Sequence, residues 1–185
     1  MIYGNNQKII STLTLLLALI LPGIVEGHIS DKSMPPSVME MECRIYLEFN
    51  PGDTKTRNKL GMALLQQEKL IKAEKEFRTV LDTKPDDFDS LDGIGLIRSR
   101  QKEYSQAIKL FKSAIEIRTD DPMVYFHLGQ ALENNGQLAE ALETYQKAAK
   151  INAQQPASET KETNSSEITD AITNVSSKLA TTTKK

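Results

Sequence analysis

Three glycines recur at one constant interval: Gly61, Gly95 and Gly129. The same step relates Ala73, Ala107 and Ala141, and again the aromatics Phe77, Phe111 and Tyr145. A period of this length is one supersecondary unit repeated. A unit that cannot bury its apolar face alone must stack on its neighbours. The register therefore predicts an all-α stack before any local propensity is weighed. It also narrows the class of function, because stacked arrays offer a continuous inner surface to other proteins and rarely do chemistry themselves.

The units read as 54–87, 88–121 and 122–155, each a helix, a short turn and a second helix. The second helices are predicted over Ile71–Leu81, Ser105–Ile117 and Leu138–Ile151. Asp121-Pro122 gives the third unit an N-cap followed by proline at the first helical position, and Gly136 marks its turn. Residues 28–53 form a linker and an N-terminal capping helix. There, Ser37 and Glu40 fit a capping box, Val38 to Phe49 is the helix, and Asn50-Pro51-Gly52 ends it. Pro51 precedes Pro85 by one full period, so this helix is in register with the second helix of a unit that lacks its first.

Beyond Pro156, residues 156–185 are rich in Ser, Thr, Asn, Glu and Lys, which predicts a solvated tail. Within it Ile168, Ala171, Ile172, Val175 and Leu179 recur at helical spacing. They support the competing reading, a short helix docked on the third unit. Asn164-Ser165-Ser166 and Asn174-Val175-Ser176 fit the glycosylation sequon, which matters only in a eukaryotic host.

Residues 1–27 look like an export signal. Lys8 supplies a thin positive region, Ile9 to Leu21 a short apolar core, and Val25-Glu26-Gly27 small residues ahead of a cleavage site that would leave His28 as the mature terminus. The apolar core is shorter than the roughly 20 residues a membrane span needs. The expected location is periplasmic or secreted, and the chain meets a membrane only if the leader stays uncleaved. The formal net charge of −2 speaks against a nucleic-acid partner, which calls for a basic stripe. Cys43 is the only cysteine, so no internal disulfide forms, and a buried helix thiol is its expected role.

The three units resemble the tetratricopeptide repeat family. The third matches best, with Tyr125-x2-Leu128-Gly129-x2-Leu132 and then Ala141-x3-Tyr145. The first carries Leu60-Gly61-x2-Leu64, Ala73-x3-Phe77 and Pro85, and the second Leu91-x2-Ile94-Gly95 and Ala107-x3-Phe111. Glycine on the first helix and alanine on the second let the two helices cross closely, and the aromatic four residues on fills the space between units. The chain departs from the family pattern at Thr119 and Ala153, which replace the terminal proline, and at Arg57 and Arg98. The aliphatic stem of Arg98 is expected to pack with its guanidinium in solvent; the alternative is that it points at a ligand carboxylate.

The resemblance implies a right-handed superhelical stack whose first helices line a concave face. By register that face carries Lys55, Asn58, Met62 and Gln66; Asp89, Asp92, Leu96 and Arg100; and Met123, Phe126, Gln130 and Asn134. Met62, Leu96, Met123 and Phe126 form an apolar strip suited to an extended segment or an amphipathic helix, and Asp89, Asp92 and Arg100 set its orientation. The carboxylate clamp of the chaperone-binding members falls on Asn58, Met62, Gly93, Met123 and His127, where the required residues are missing.

The sequence shows no catalytic constellation: His28 and His127 are the only histidines, and no metal or cofactor motif is present. The expected function is a non-enzymatic scaffold that grips a partner protein or peptide. Exported members of the family often serve envelope assembly. Two alternatives stay open: a structural protein that self-associates through its end helices, and an accessory subunit of an envelope enzyme or of a cytochrome-maturation complex.

Overall fold

The structure, a computed structural model, describes residues 34–182. The expected leader, residues 1–27, and the His28 terminus lie outside the described residues. Among the described residues eight helices follow in order: α1 (Pro36–Phe49), α2 (Thr54–Gln66), α3 (Leu70–Leu81), α4 (Phe88–Arg100), α5 (Tyr104–Ile117), α6 (Pro122–Asn134), α7 (Leu138–Gln154) and α8 (Glu159–Thr182). Each packs on the next in an antiparallel stack, so α2–α3, α4–α5 and α6–α7 are the three units.

The boundaries are written into the sequence with the same period. Asp53, Asp87 and Asp121 keep the glycine interval and cap the three first helices. Their carboxylates accept the amides of Thr56, Ser90 and Met123 at 2.6, 2.9 and 2.9 Å. Each satisfies one of the amides that a helix start leaves without a partner. At the turns inside the units, Glu68, Lys102 and Gly136 take φ of 58°, 62° and 81°. There the amides of Lys69, Glu103 and Gln137 reach back to the carbonyls of Leu64, Arg98 and Leu132, at 2.9 Å in each case. This left-handed closure is natural for glycine and strained for the other two residues.

The glycine–aromatic register acts as expected and extends further. A Cβ at Gly61 would come within 2.6 Å of the Phe77 ring, and one at Gly95 or Gly129 within 2.5 Å of Phe111 or Tyr145. Phe77 also presses on Gly93, in the first helix of the following unit. One ring thus wedges two helices from different units, and all three rings are fully buried. Burying a side chain of this size is worth about 1.5–3 kcal/mol. Phe111 finds His127 where Phe77 finds Gly93, since His127 lies one period beyond Gly93, and the Phe111 and His127 ring centroids are 5.8 Å apart.

One expectation at the N-terminal cap is corrected. The capping box does not form: α1 begins at Pro36 with Pro35 as N-cap and no side-chain cap bond, which places Ser37 inside the helix. Glu40 instead accepts Lys69 Nζ at 2.7 Å, Arg44 Nε at 3.0 Å and Gln67 Nε2 at 3.0 Å, tying α1 to the turn after α2. Cys43 is buried with its thiol pushed up to about 11 by desolvation, so it packs as an inert apolar group. Arg98, expected to reach solvent or a ligand, donates to Glu74 at 2.5 and 3.0 Å and so bridges α4 to α3. Arg57 likewise joins α2 to α3 through Glu76 at 2.8 Å.

Among the described residues, the segment beyond Pro156 is not a loose tail. It forms the long helix α8, which packs on α7 and the end of α6. Ile168 and Val175 are buried, and Ala171, Ile172 and Leu179 pack beside them against the third unit. Asn152 of α7 donates to Ser165 Oγ at 2.8 Å, and Lys178 of α8 to Glu133 at 2.6 Å. The apolar spacing outweighed the polar composition because α8 needs only one buried stripe.

Two stability measurements check this account. Gly93→Ala gains helix propensity of about 1 kcal/mol but drives a methyl into the Phe77 ring; overpacking costs about 1–3 kcal/mol. Urea unfolding is expected to show a net loss. Lys102→Gly removes the left-handed strain and is expected to raise stability by up to about 1 kcal/mol in the same assay.

Candidate partner-binding groove

Successive first helices touch one another, α2 to α4, α4 to α6 and α6 to α8, whereas among the described residues successive second helices make no comparable contact. The first helices therefore line the inner, tighter side of the stack, and α8 takes the place of a fourth. The twelve predicted residues fall on this side in four rows of constant register, and the rows have different fates.

The row Asn58, Asp92 and Phe126 is turned into the stack. Asn58 is 5% exposed. Its Nδ2 donates to Asp87 at 2.7 Å, and its Oδ1 accepts the buried Ser90 hydroxyl at 2.7 Å. Asp92 lies 2.9 Å from His127 Nδ1. Phe126 is 7% exposed and packs on Tyr145 at 5.7 Å and on His127 at 6.3 Å between centroids. These three side chains fasten unit to unit, or unit to core.

The remaining rows face outward. Met62, Leu96 and Met123 are half-buried, and Lys55, Gln66, Gln130 and Asn134 are exposed. Two of the expected orienting charges are already engaged. Arg100 donates to the Glu68 carboxylate and to the Leu65 carbonyl. Asp89 pairs with Arg118 at 3.2 Å; that guanidinium lies 3.4 Å over the Phe88 ring and also reaches Asp121 at 3.3 Å. The open surface thus carries Met62 and Leu96 side by side in one row and Met123 in the row of Lys55, edged by the amides of Gln66, Gln130 and Asn134. Its chemistry is that of apolar contact and hydrogen bonding. Among the described residues no group of three His, Cys, Asp or Glu side chains is placed to hold a metal ion, and no helix is long and apolar enough to cross a membrane.

The sequence offered the groove's C-terminal wall only as the competing docked-helix reading. Asn164 of α8 and Met123 of α6 line one cleft with Asn152. Glu133 accepts the Tyr145 hydroxyl at 2.9 Å and is also reached by Asn174 at 3.2 Å, so α6, α7 and α8 meet at one carboxylate. The Ile168-to-Leu179 spacing was the signal that could have placed this wall.

The profile of the tetratricopeptide repeat matches residues 58–122 and, in a second version, residues 100–160. The chain belongs to the tetratricopeptide repeat family. Comparison with curated protein sequences finds no match. Among solved structures, the chain is similar to the Yersinia enterocolitica type III secretion translocator chaperone SycD, with a TM-score of 0.61 at 24% identity over 68% of this chain and 92% of that one. It is similar to PcrH in complex with the chaperone-binding region of PopD, with a TM-score of 0.61 at 21% identity over 67% and 91%. It is also similar to the first tetratricopeptide domain of Spaghetti (RPAP3) bound to the HSP90 peptide SRMEEVD, with a TM-score of 0.59 at 17% identity over 69% and 93%. At these identities the likeness is one of fold.

His127 is the titratable centre of the inner face. Burial opposes its protonation, but the Asp92 carboxylate overrides that, aided by Asp121 and Glu167, and His127 titrates above its ordinary value. A histidine whose folded value is raised adds stability that is complete below the unfolded value, about 6.5, and that fades as pH rises through the folded value. The wild type is therefore expected to lose thermal stability from pH 6 to pH 9. Asp92→Asn should flatten that dependence, as read by circular dichroism melting.

Proposed function

We propose that this chain is a non-catalytic binding module. It takes an apolar-bearing segment of a partner protein along the inner face of its first helices. The observation that carries the reading is the row-wise split of that face: one row is consumed in holding the units together, while Met62 and Leu96, neighbours in one row, and Met123, in another, stay half-buried on the outward rows. An unbranched methionine adapts to varied partners, and the amides of Gln66, Gln130 and Asn134 are suited to an extended backbone. The similar PcrH and RPAP3 domains hold protein segments, which supports the same use here.

The mode of grip differs from a terminal-carboxylate clamp. Two of the clamp positions, Gly93 and His127, are filled by the Phe77 and Phe111 contacts. The partner segment is read instead by apolar side chains along its length. The apolar leader at residues 9–21 supports export, and with it a role in the cell envelope.

The test is a peptide selection against the purified chain, followed by calorimetry on the selected peptides. Leu96→Glu combined with Met62→Glu should weaken binding by at least about tenfold while circular dichroism shows an intact helical fold. Unchanged affinity in the folded variant would remove the groove reading. Intact mass of the chain from fractionated cells checks export: a species lacking residues 1–27 outside the cytoplasm supports it, and a full-length cytoplasmic species refutes it.

A further inference from the structure

The two ends of the stack are finished differently. The C-terminal helix α8 turns a polar face outward, with Glu162, Ser166, Thr169, Thr173, Ser176 and Ser177 all exposed. The N-terminal helix α1 does the opposite. Met41, Ile45 and Phe49 are 56%, 51% and 49% exposed. Their four-residue spacing sets them in one stripe along the side of α1 opposite buried Cys43 and Leu47. The other large exposed apolar side chains among the described residues, Ile71 and Ile117, stand singly on α3 and α5. An apolar stripe along most of one helix marks an interaction surface.

We infer that this stripe is the interface of a two-fold dimer, formed by antiparallel pairing of α1 with α1 of a second copy. Two observations choose that occupant. Head-to-tail stacking would bring the apolar stripe against the polar face of α8, so an open filament is disfavoured. A closed, isologous contact needs a patch complementary to itself. The α1 stripe meets that need. Arg44 and Glu48 lie on the same flank of it, one helical turn apart, and both are exposed. Antiparallel pairing brings Ile45 near its own copy and Met41 near Phe49. The same pairing sets Arg44 of each copy beside Glu48 of the other, twice per dimer. A parallel two-fold pairing would put the two copies of this flank on opposite sides of the seam, where Arg44 and Glu48 meet neither partner. Glu40 holds one edge of Arg44 at 3.0 Å, which steadies the guanidinium. One helix per copy makes a small interface, so the dimer is expected to dissociate at micromolar concentrations.

Sedimentation velocity on the full chain over a concentration series tests this. The wild type should shift from monomer to dimer. Ile45→Glu should raise the dissociation constant at least about tenfold, with helix content unchanged. Arg44→Glu alone and Glu48→Arg alone should each dimerise several-fold more weakly, because each homodimer then sets like charges together. An equimolar mixture of these two variants should regain dimer, since every cross-pair is again opposite in sign. A monomer at all concentrations overturns the proposal. So does a dimer indifferent to Ile45→Glu, or a mixture no stronger than its components; either would place the association elsewhere on the chain.

Discussion

An aromatic ring standing where a Cβ is missing is the contact on which the rest of this molecule depends. At Gly61, Gly95 and Gly129 the first helix of each unit runs so near the ring of Phe77, Phe111 or Tyr145 that a methyl group would overlap it. That closeness fixes the crossing of the paired helices. The crossing in turn sets how far apart successive first helices stand, and hence the spacing of the side chains a partner would meet. Glycine costs the helix about 1 kcal/mol of propensity at each site. The buried ring offsets that cost, so local preference gives way to packing.

Between units the fastening changes along the stack. The first junction uses Gly93 against Phe77, together with the Asn58–Asp87–Ser90 hydrogen bonds. The second uses His127 against Phe111, with Asp92 behind it. The third uses α8, secured by Asn152 and Glu133. Polar groups at these junctions are almost all paired, as buried donors and acceptors must be. A consequence is that several groove charges which look available in the linear sequence are already spent on neighbours.

The period made the fold legible: three glycines and three aromatics in register leave little room for another architecture. The groove was legible only as a set of positions, because register says which face a residue occupies and not what its tip bonds to. Asn58 and Phe126 share a row with Asp92, yet Asn58 went inward to a cap and Phe126 into the core beside Tyr145. The tail misled for a related reason. Ser, Thr and Asn dominate its composition, but five apolar residues at the right spacing suffice once the third unit offers a face to cover. The capping box failed because α1 already starts at Pro36, ahead of Ser37, and Lys69, far away in the sequence, competes for Glu40.

Among the described residues, Leu96 is the one half-buried side chain that packs against both core clusters, the one around Phe77 and the one around Tyr145. Elsewhere the two clusters draw on separate sets of residues. Helix α4 feeds both clusters, with Ile94 and Ile97 in one and Phe88 and Leu91 against the other, so a single rod is shared by the two cores and the side chain common to both stands on its inner face. A molecule resting on Leu96 would touch both cores at once. Cutting that side chain short would loosen both cores together, so its loss would be felt on either side of the middle unit and not just at the place of contact.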